Sequence, residues 1–241
     1  EFVIASDCGL NFVELLAERK HNFTNPIWSD KGIDLIRKGI KKNKLENYSA
    51  CLDYIIDNCI FEGDFQSNKV LDYTINFLRQ VKKIKIKFVI LPLLESSNPE
   101  LFSFNLVTDN LLVLLEECKK LDISLIIESV LNSEKLFKIL DYINNPLLGC
   151  VYDTGNRYEI GDPVSEINHL SKFIKHIHLK DKRNYENVVI GSGCVDFLSI
   201  FKKLGEISYQ GAFCFETNRG KYPQNTMKHN LEYVRYISAE I

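Results

Sequence analysis

Four side chains of metal-ligand type close apolar runs in this chain: Glu128 in L-I-I-E-S, Asp153 in C-V-Y-D-T-G-N, His178 in H-I-H-L-K-D and Glu216 in F-C-F-E-T. The apolar neighbours carry each of these groups toward an interior. A carboxylate buried there without a partner is costly, and a divalent cation offsets that cost. Three carboxylates and one imidazole suit Mn²⁺, Zn²⁺, Mg²⁺ or Co²⁺, and ligand type alone does not choose among them. Within residues 175–181 the strand alternation puts 176, 178 and 180 on one face. If His178 points inward, so do His176 and Lys180, which adds a cation suited to an anionic substrate. Each residue alone also has a plainer reading. An acid just past a strand is often a helix cap, Asp153-Thr154-Gly155 reads as a turn, and His176 reads as a packed core histidine.

The elements that must position these groups follow from periodicity. Strand-type runs fall at residues 11–16, 48–56, 84–91, 123–128, 148–153, 174–179 and 212–216. Helical patterns fall at 32–42, 68–81, 108–121, 133–143, 165–173, 197–203 and 226–237. Apolar strands alternating with helices predict a parallel sheet covered on its faces. The four ligand-type residues are 25, 25 and 38 residues apart, about one βα unit each. In a (β/α)₈ TIM barrel such strand ends meet on one rim, where active sites form. Seven strands are counted where the closed form has eight. Residues 2–9 read as the end of a first helix, so the strand before it is expected to be missing from this chain. An open doubly wound sheet is the alternative, but it wants a Gly-rich turn after its first strand, and none is present.

Composition narrows the function classes. The 241 residues carry 30 Lys and Arg against 32 Asp and Glu, for a net charge of -2, with 45% hydrophobic residues. One globular domain over residues 1–241 is expected. The lack of a basic excess argues against a nucleic-acid or anionic-membrane partner. No apolar run reaches membrane-spanning length and no signal peptide is visible. Seven cysteines, an odd number without a C-x-x-C pair, read as free thiols in a reducing, cytoplasmic compartment.

The segments G-L-N-F-V-E-L, V-Y-D-T-G-N, H-I-H-L-K-D-K, G-S-G-C-V-D-F and G-A-F-C-F-E-T, in this order, resemble the sugar phosphate isomerase/epimerase superfamily. This is the xylose isomerase-like barrel group that also holds endonuclease IV. N-P-I-W-S-D-K-G-I, S-A-C-L-D-Y-I-I-D and the later E-T-N-R-G and H-N-L-E-Y-V-R are similar to its ketose-phosphate 3-epimerase-type branch. The resemblance implies one divalent metal ion held by Glu128, Asp153, His178 and Glu216. It also implies that Glu128 and Glu216 form a catalytic acid/base pair acting through an enediolate. One glutamate removes a proton beside a carbonyl and the other returns one.

Asn156 departs from the family pattern. It stands where endonuclease IV and the free-ketose epimerases carry His, and with the net charge this weakens a DNA-repair reading. Expected substrate contacts are Lys180, Asn156, His176, Asp53, Arg183, Arg219 and the Gly191-Ser192-Gly193 loop. That loop reads equally as a phosphate cradle or as a turn. Trp28 reads as a cover for a sugar face or as packing. The leading expectation is a metal-dependent isomerase or epimerase of a sugar or sugar phosphate, with a homo-oligomer possible. A dehydratase of a keto-polyol, of the inosose or dehydroshikimate type, would use the same enolate. A sugar-binding barrel without catalysis is the third reading.

Overall fold

The computed structural model describes residues 1–239. Its elements run in chain order as α1 (Phe2–Asp7), β1 (Leu15–Ala17), α2 (Asp30–Lys42), β2 (Ser49–Leu52), α3 (Tyr54–Asp57), α4 (Phe65–Ile84), β3 (Phe88–Leu93) and α5 (Phe104–Leu121). They continue as β4 (Ser124–Ser129), α6 (Ser133–Ile143), β5 (Leu148–Asp153), α7 (Pro163–Leu170), β6 (Ile174–Leu179), β7 (Asp181–Arg183), β8 (Glu186–Val188), α8 (Phe197–Glu206), β9 (Ala212–Phe215) and α9 (Pro223–Ala239). The chain divides into two compact units. One holds Glu1–Ser129 and Lys138–Gly149, the other Val130–Phe137 and Cys150–Ile241.

In the first unit β1, β2, β3 and β4 pair in parallel, each with the next. Residues 89–91 of β3 and 125–127 of β4 are buried at both alternating positions. That double burial is what a parallel sheet covered by helices requires. Phe77, Leu78 and Val81 of α4 and Leu111, Leu114 and Leu115 of α5 are buried with them. Each such side chain contributes about 1.5–3 kcal/mol relative to exposure. The helices start where short polar residues satisfy their first amides. Ser29 accepts from Gly32 N, Ser103 from Leu106 N, and Asp64 forms a reciprocal box with Ser67. Gly32 is required by close approach, since a Cβ there would collide with the Pro26 carbonyl oxygen.

In the second unit β5 pairs in parallel with β6, and β6 with β9. α7 buries Ile167 and Leu170, and α8 buries Phe197, Ile200 and Leu204. Phe201 of α8 stacks on Phe213 of β9 with ring centroids 5.2 Å apart. β7 and β8 form a short antiparallel hairpin past the end of β6.

Among the described residues seven parallel strands match the seven expected, with differences at the edges. The run 48–56 is not one strand: β2 ends at Leu52 and Tyr54 opens the helical turn α3. Its apolar residues continue past the turn, so period alone does not mark the stop. The helix expected at 68–81 begins at Phe65, because the Asp64–Ser67 box caps it earlier. The strand expected at 84–91 is shifted to Phe88–Leu93, since α4 runs on to Ile84. The β7–β8 hairpin adds two short strands that periodicity does not predict. Among the described residues no disulfide joins any of the seven cysteines; Cys194 is exposed and Cys214 half-buried. No described helix is long and apolar enough to cross a membrane.

Candidate metal centre

Asp153 is the last residue of β5, His178 the fifth of β6, and Glu216 follows directly on β9. The three strands are parallel neighbours, so these residues come together at one end of the second unit's sheet. A bulge sets the register: Cys150 pairs with Ile174, but Val151 pairs with His176, and this leaves Asp153 directly opposite His178. On the other side His178 pairs with Cys214 and Leu179 with Phe215, and Glu216 N donates to the Leu179 carbonyl at 3.1 Å.

The side chains converge accordingly. His178 Nδ1 is 3.0 Å from Glu216 Oε2 and 3.9 Å from Asp153 Oδ2. Lys180 Nζ is 2.9 Å from Asp153 Oδ2 and 2.8 Å from Glu216 Oε1. One donor atom from each of Asp153, His178 and Glu216 fits within a 4.8 Å span. Asp153, His178 and Lys180 are almost fully buried, whereas the Glu216 side chain is 50% exposed. Burial of part of Glu216 opposes its ionisation. The hydrogen bond to His178 and the charge of Lys180 outweigh that and bring its carboxyl down to about 2.

Asp153 is held by the turn that follows it. Its Oδ1 accepts from Gly155 N at 2.9 Å and Asn156 N at 2.6 Å, which turns Oδ2 toward Lys180. The Thr154 hydroxyl donates to the Lys180 carbonyl at 2.6 Å and accepts from Lys180 N at 2.9 Å, tying the two strand ends together. The Asn156 side-chain oxygen is 3.5 Å from Lys180 Nζ. His176 is fully buried one strand step below His178, with the two rings edge to face at 5.1 Å.

The remaining expected residues stand as follows. Glu128 is buried in β4 of the first unit, opposite Pro92 of β3. Asp53 follows β2 and accepts from Cys51 Sγ at 3.4 Å. Arg183 and Arg219 are exposed. Gly191 and Gly193 turn their amides to Asp181 Oδ2, at 2.9 and 2.8 Å, and Val195 N donates to its Oδ1 at 3.2 Å. These amides therefore cradle a carboxylate of the chain itself. Gly191 has φ +82°, a backbone state suited to glycine.

Sequence reasoning missed Asp181, although an acid beside Lys180 with glycines 10 and 12 residues on was a readable cue. It also missed the Arg157–Glu166 pair. Both residues are buried, with Nε–Oε2 at 3.0 Å and Nη2–Oε1 at 2.6 Å. Arg157 N donates to the Asp153 carbonyl at 3.1 Å, so the pair braces the turn beyond the ligand. No local motif announces that pair.

Two carboxylates and an imidazole form a set of hard and borderline donors, with the Lys180 ammonium paired to both carboxylates. Asp153 Oδ2, His178 Nδ1 and a Glu216 oxygen are of the types that bind a divalent cation, so the residues present fit such an ion.

Known proteins share this architecture. The family described as xylose isomerase-like TIM barrel matches residues 2–237. An inosose dehydratase of Clostridium beijerinckii is 28% identical over 131 residues, covering 46% of this chain and 44% of that protein. The match spans less than half the length of such curated relatives. Among solved structures, D-psicose 3-epimerase with D-tagatose from Clostridium cellulolyticum H10 superposes with a TM-score of 0.83 at 12% identity, covering 98% of this chain and 92% of that one. The IolI protein with a bound zinc atom gives a TM-score of 0.77 at 15% identity, covering 98% and 90%. At such identities these two structures speak for the fold, which agrees with the TIM barrel expected from the sequence. The chain belongs to the xylose isomerase-like TIM barrel family.

Proposed function

We propose that this chain is a divalent-metal-dependent sugar isomerase or epimerase. The observation that carries the reading is the meeting of Asp153, His178 and Glu216 at the ends of three parallel strands, with Lys180 against two of them. Glu128, the remaining ligand-type residue of the sequence pattern, is proposed as the fourth ligand. Asp153 and Glu216, both against Lys180, and His178 beside them are the ligand types a divalent cation takes. When bound, that ion would polarise the oxygens of a carbonyl and its neighbouring hydroxyl and stabilise charge developing on them.

The chain's own residues would do the proton work. Glu128 and Glu216 are the acid/base pair, one taking the proton from the carbon beside the carbonyl and the other supplying one. Lys180 would hold a substrate oxygen, with Asn156 beside it. His176 packs on His178 and orients it. Asp53, Arg183 and Arg219 are proposed as contacts to substrate hydroxyls or a phosphate. Gly191 and Gly193 are proposed to shape the wall beside Lys180, through Asp181.

A second reading is a dehydratase of a keto-polyol, favoured by the similarity to the inosose dehydratase. It shares the proton removal and differs in the loss of a β-hydroxyl as water. One experiment tests both: ketoses, ketose phosphates and inososes are incubated with the protein and Mn²⁺ in D₂O and followed by NMR and ultraviolet absorbance. Deuterium at the carbon beside the carbonyl without an enone chromophore supports the first reading, and an enone chromophore the second. Neither signal with any of these sugars would count against both.

A further inference from the structure

Beyond the ligands, the second unit carries a closed ring of contacts that passes through Lys180 and Glu216. Asp181, next to Lys180, is buried and clamps Gly191, Gly193 and Val195 by their amides. Ile190 N, at the start of that loop, donates to Asn230 Oδ1 of α9 at 3.2 Å. Asn230 Nδ2 donates in turn to the Thr217 hydroxyl at 3.0 Å, and Thr217 follows Glu216. The ring closes where Glu216 Oε1 meets Lys180 Nζ at 2.8 Å.

Asn230 is completely buried, and its two polar ends serve two different segments. α9 grips the loop at neighbouring points as well. His229 Nε2 is 3.3 Å from the Ile190 carbonyl oxygen, and a Cβ on Gly191 would run into the Tyr233 ring. Glu216 follows directly on β9, its amide still bonded to the Leu179 carbonyl, and its side chain is half in solvent. The hydrogen bond from Asn230 holds Thr217, the residue next along the chain.

We propose that Asn230 is a positioning residue. Through Thr217 it sets where the Glu216 carboxylate stands relative to His178 and Lys180, and so sets the affinity of the centre for a divalent cation. The proposal rests on the metal-centre reading above. Residues that orient metal ligands usually alter affinity by about 10- to 100-fold when removed.

The test is equilibrium binding of Mn²⁺ alone, read from the electron paramagnetic resonance of free Mn²⁺, with apo melting temperatures as a control on folding. Thr217→Val removes the hydroxyl at nearly constant volume and should weaken Mn²⁺ binding about tenfold at the scale for orienting partners. Thr217→Ser restores the hydroxyl and should bind like the wild type. Asn230→Ala should show the same loss, but it also strips Ile190 N of its acceptor and can fail to fold. The two Thr217 variants keep the question open to refutation in that case. An equal loss of affinity in Thr217→Val and Thr217→Ser, or Thr217→Val binding as tightly as the wild type, overturns the role of Asn230. A wild-type chain that takes up no Mn²⁺ overturns the metal-centre reading itself, and so separates the two failures.

Discussion

Asp153 and His178 face each other across the β5–β6 ladder, with His178 Nδ1 3.9 Å from Asp153 Oδ2. That is too long for a direct hydrogen bond. Two donors each about 2.0–2.2 Å from one ion are at most roughly 4.4 Å apart. The separation therefore lies within the reach of a single cation. The bulge between Cys150 and Val151 produces it, because without that extra residue on β6 Asp153 would stand opposite the wrong side chain.

The two glutamates have separable expected effects. Glu216→Gln removes a base while keeping its shape, and should lower turnover by on the order of 10² or more, the scale for acid/base loss. Glu128→Gln should do the same. Steady-state kinetics on the sugar identified by the D₂O screen is the measurement. Turnover near the wild-type value in either variant removes that glutamate from the acid/base pair.

Arg157 and Glu166 offer a stability prediction independent of the chemistry. Their bidentate pair is buried, with side chains 1% and 5% exposed. Arg157→Met leaves the Glu166 carboxylate without that partner, and should cost about 3–5 kcal/mol in urea unfolding. A loss under about 1 kcal/mol, the surface-pair scale, would mean that the pair does not brace the turn after Asp153.

Acid should weaken the first unit through Glu117 of α5. Its Oε1 accepts from Arg79 Nε of α4 at 2.7 Å, and Lys120 Nζ is 3.2 Å from Oε2. The Arg79 hydrogen bond holds this carboxyl below its ordinary 4.5, against a smaller opposing effect of burial. A carboxyl depressed in the folded state contributes stability that is fully present above the unfolded value and is lost as pH falls below it. Stability measured from neutral pH down to about pH 3 should therefore fall less steeply below pH 4.5 in Glu117→Gln than in the wild type. Identical slopes would show that the pair contributes nothing to folding.

The parallel strands were legible because each is an apolar run with a turn signal behind it. Asp153, His178 and Glu216 stood out because a charged or imidazole group ends such a run. What the sequence hid has physical reasons. The β7–β8 hairpin is made of Asp181-Lys182-Arg183 and Glu186-Asn187-Val188, with no apolar alternation to betray a strand. Asn230 looks like the polar face of a helix, and its burial follows from two hydrogen bonds to segments 40 and 13 residues away. Asp181 and Arg157 find their partners across loops, where spacing carries no periodic signal. The glycine loop shows the same limit: two glycines suggested a cradle, but only the fold reveals that Asp181 fills it.

The most direct test of the account is a Mn²⁺ titration of the intact chain beside its Asp153→Ala and His178→Ala variants, with metal content measured after dialysis. The account predicts one tight Mn²⁺ per chain in the wild type and at least about a 100-fold weakening in each variant, since a lost ligand should cost no less than a lost orienting partner. Binding unchanged in both variants, or no binding by the wild type, would contradict it.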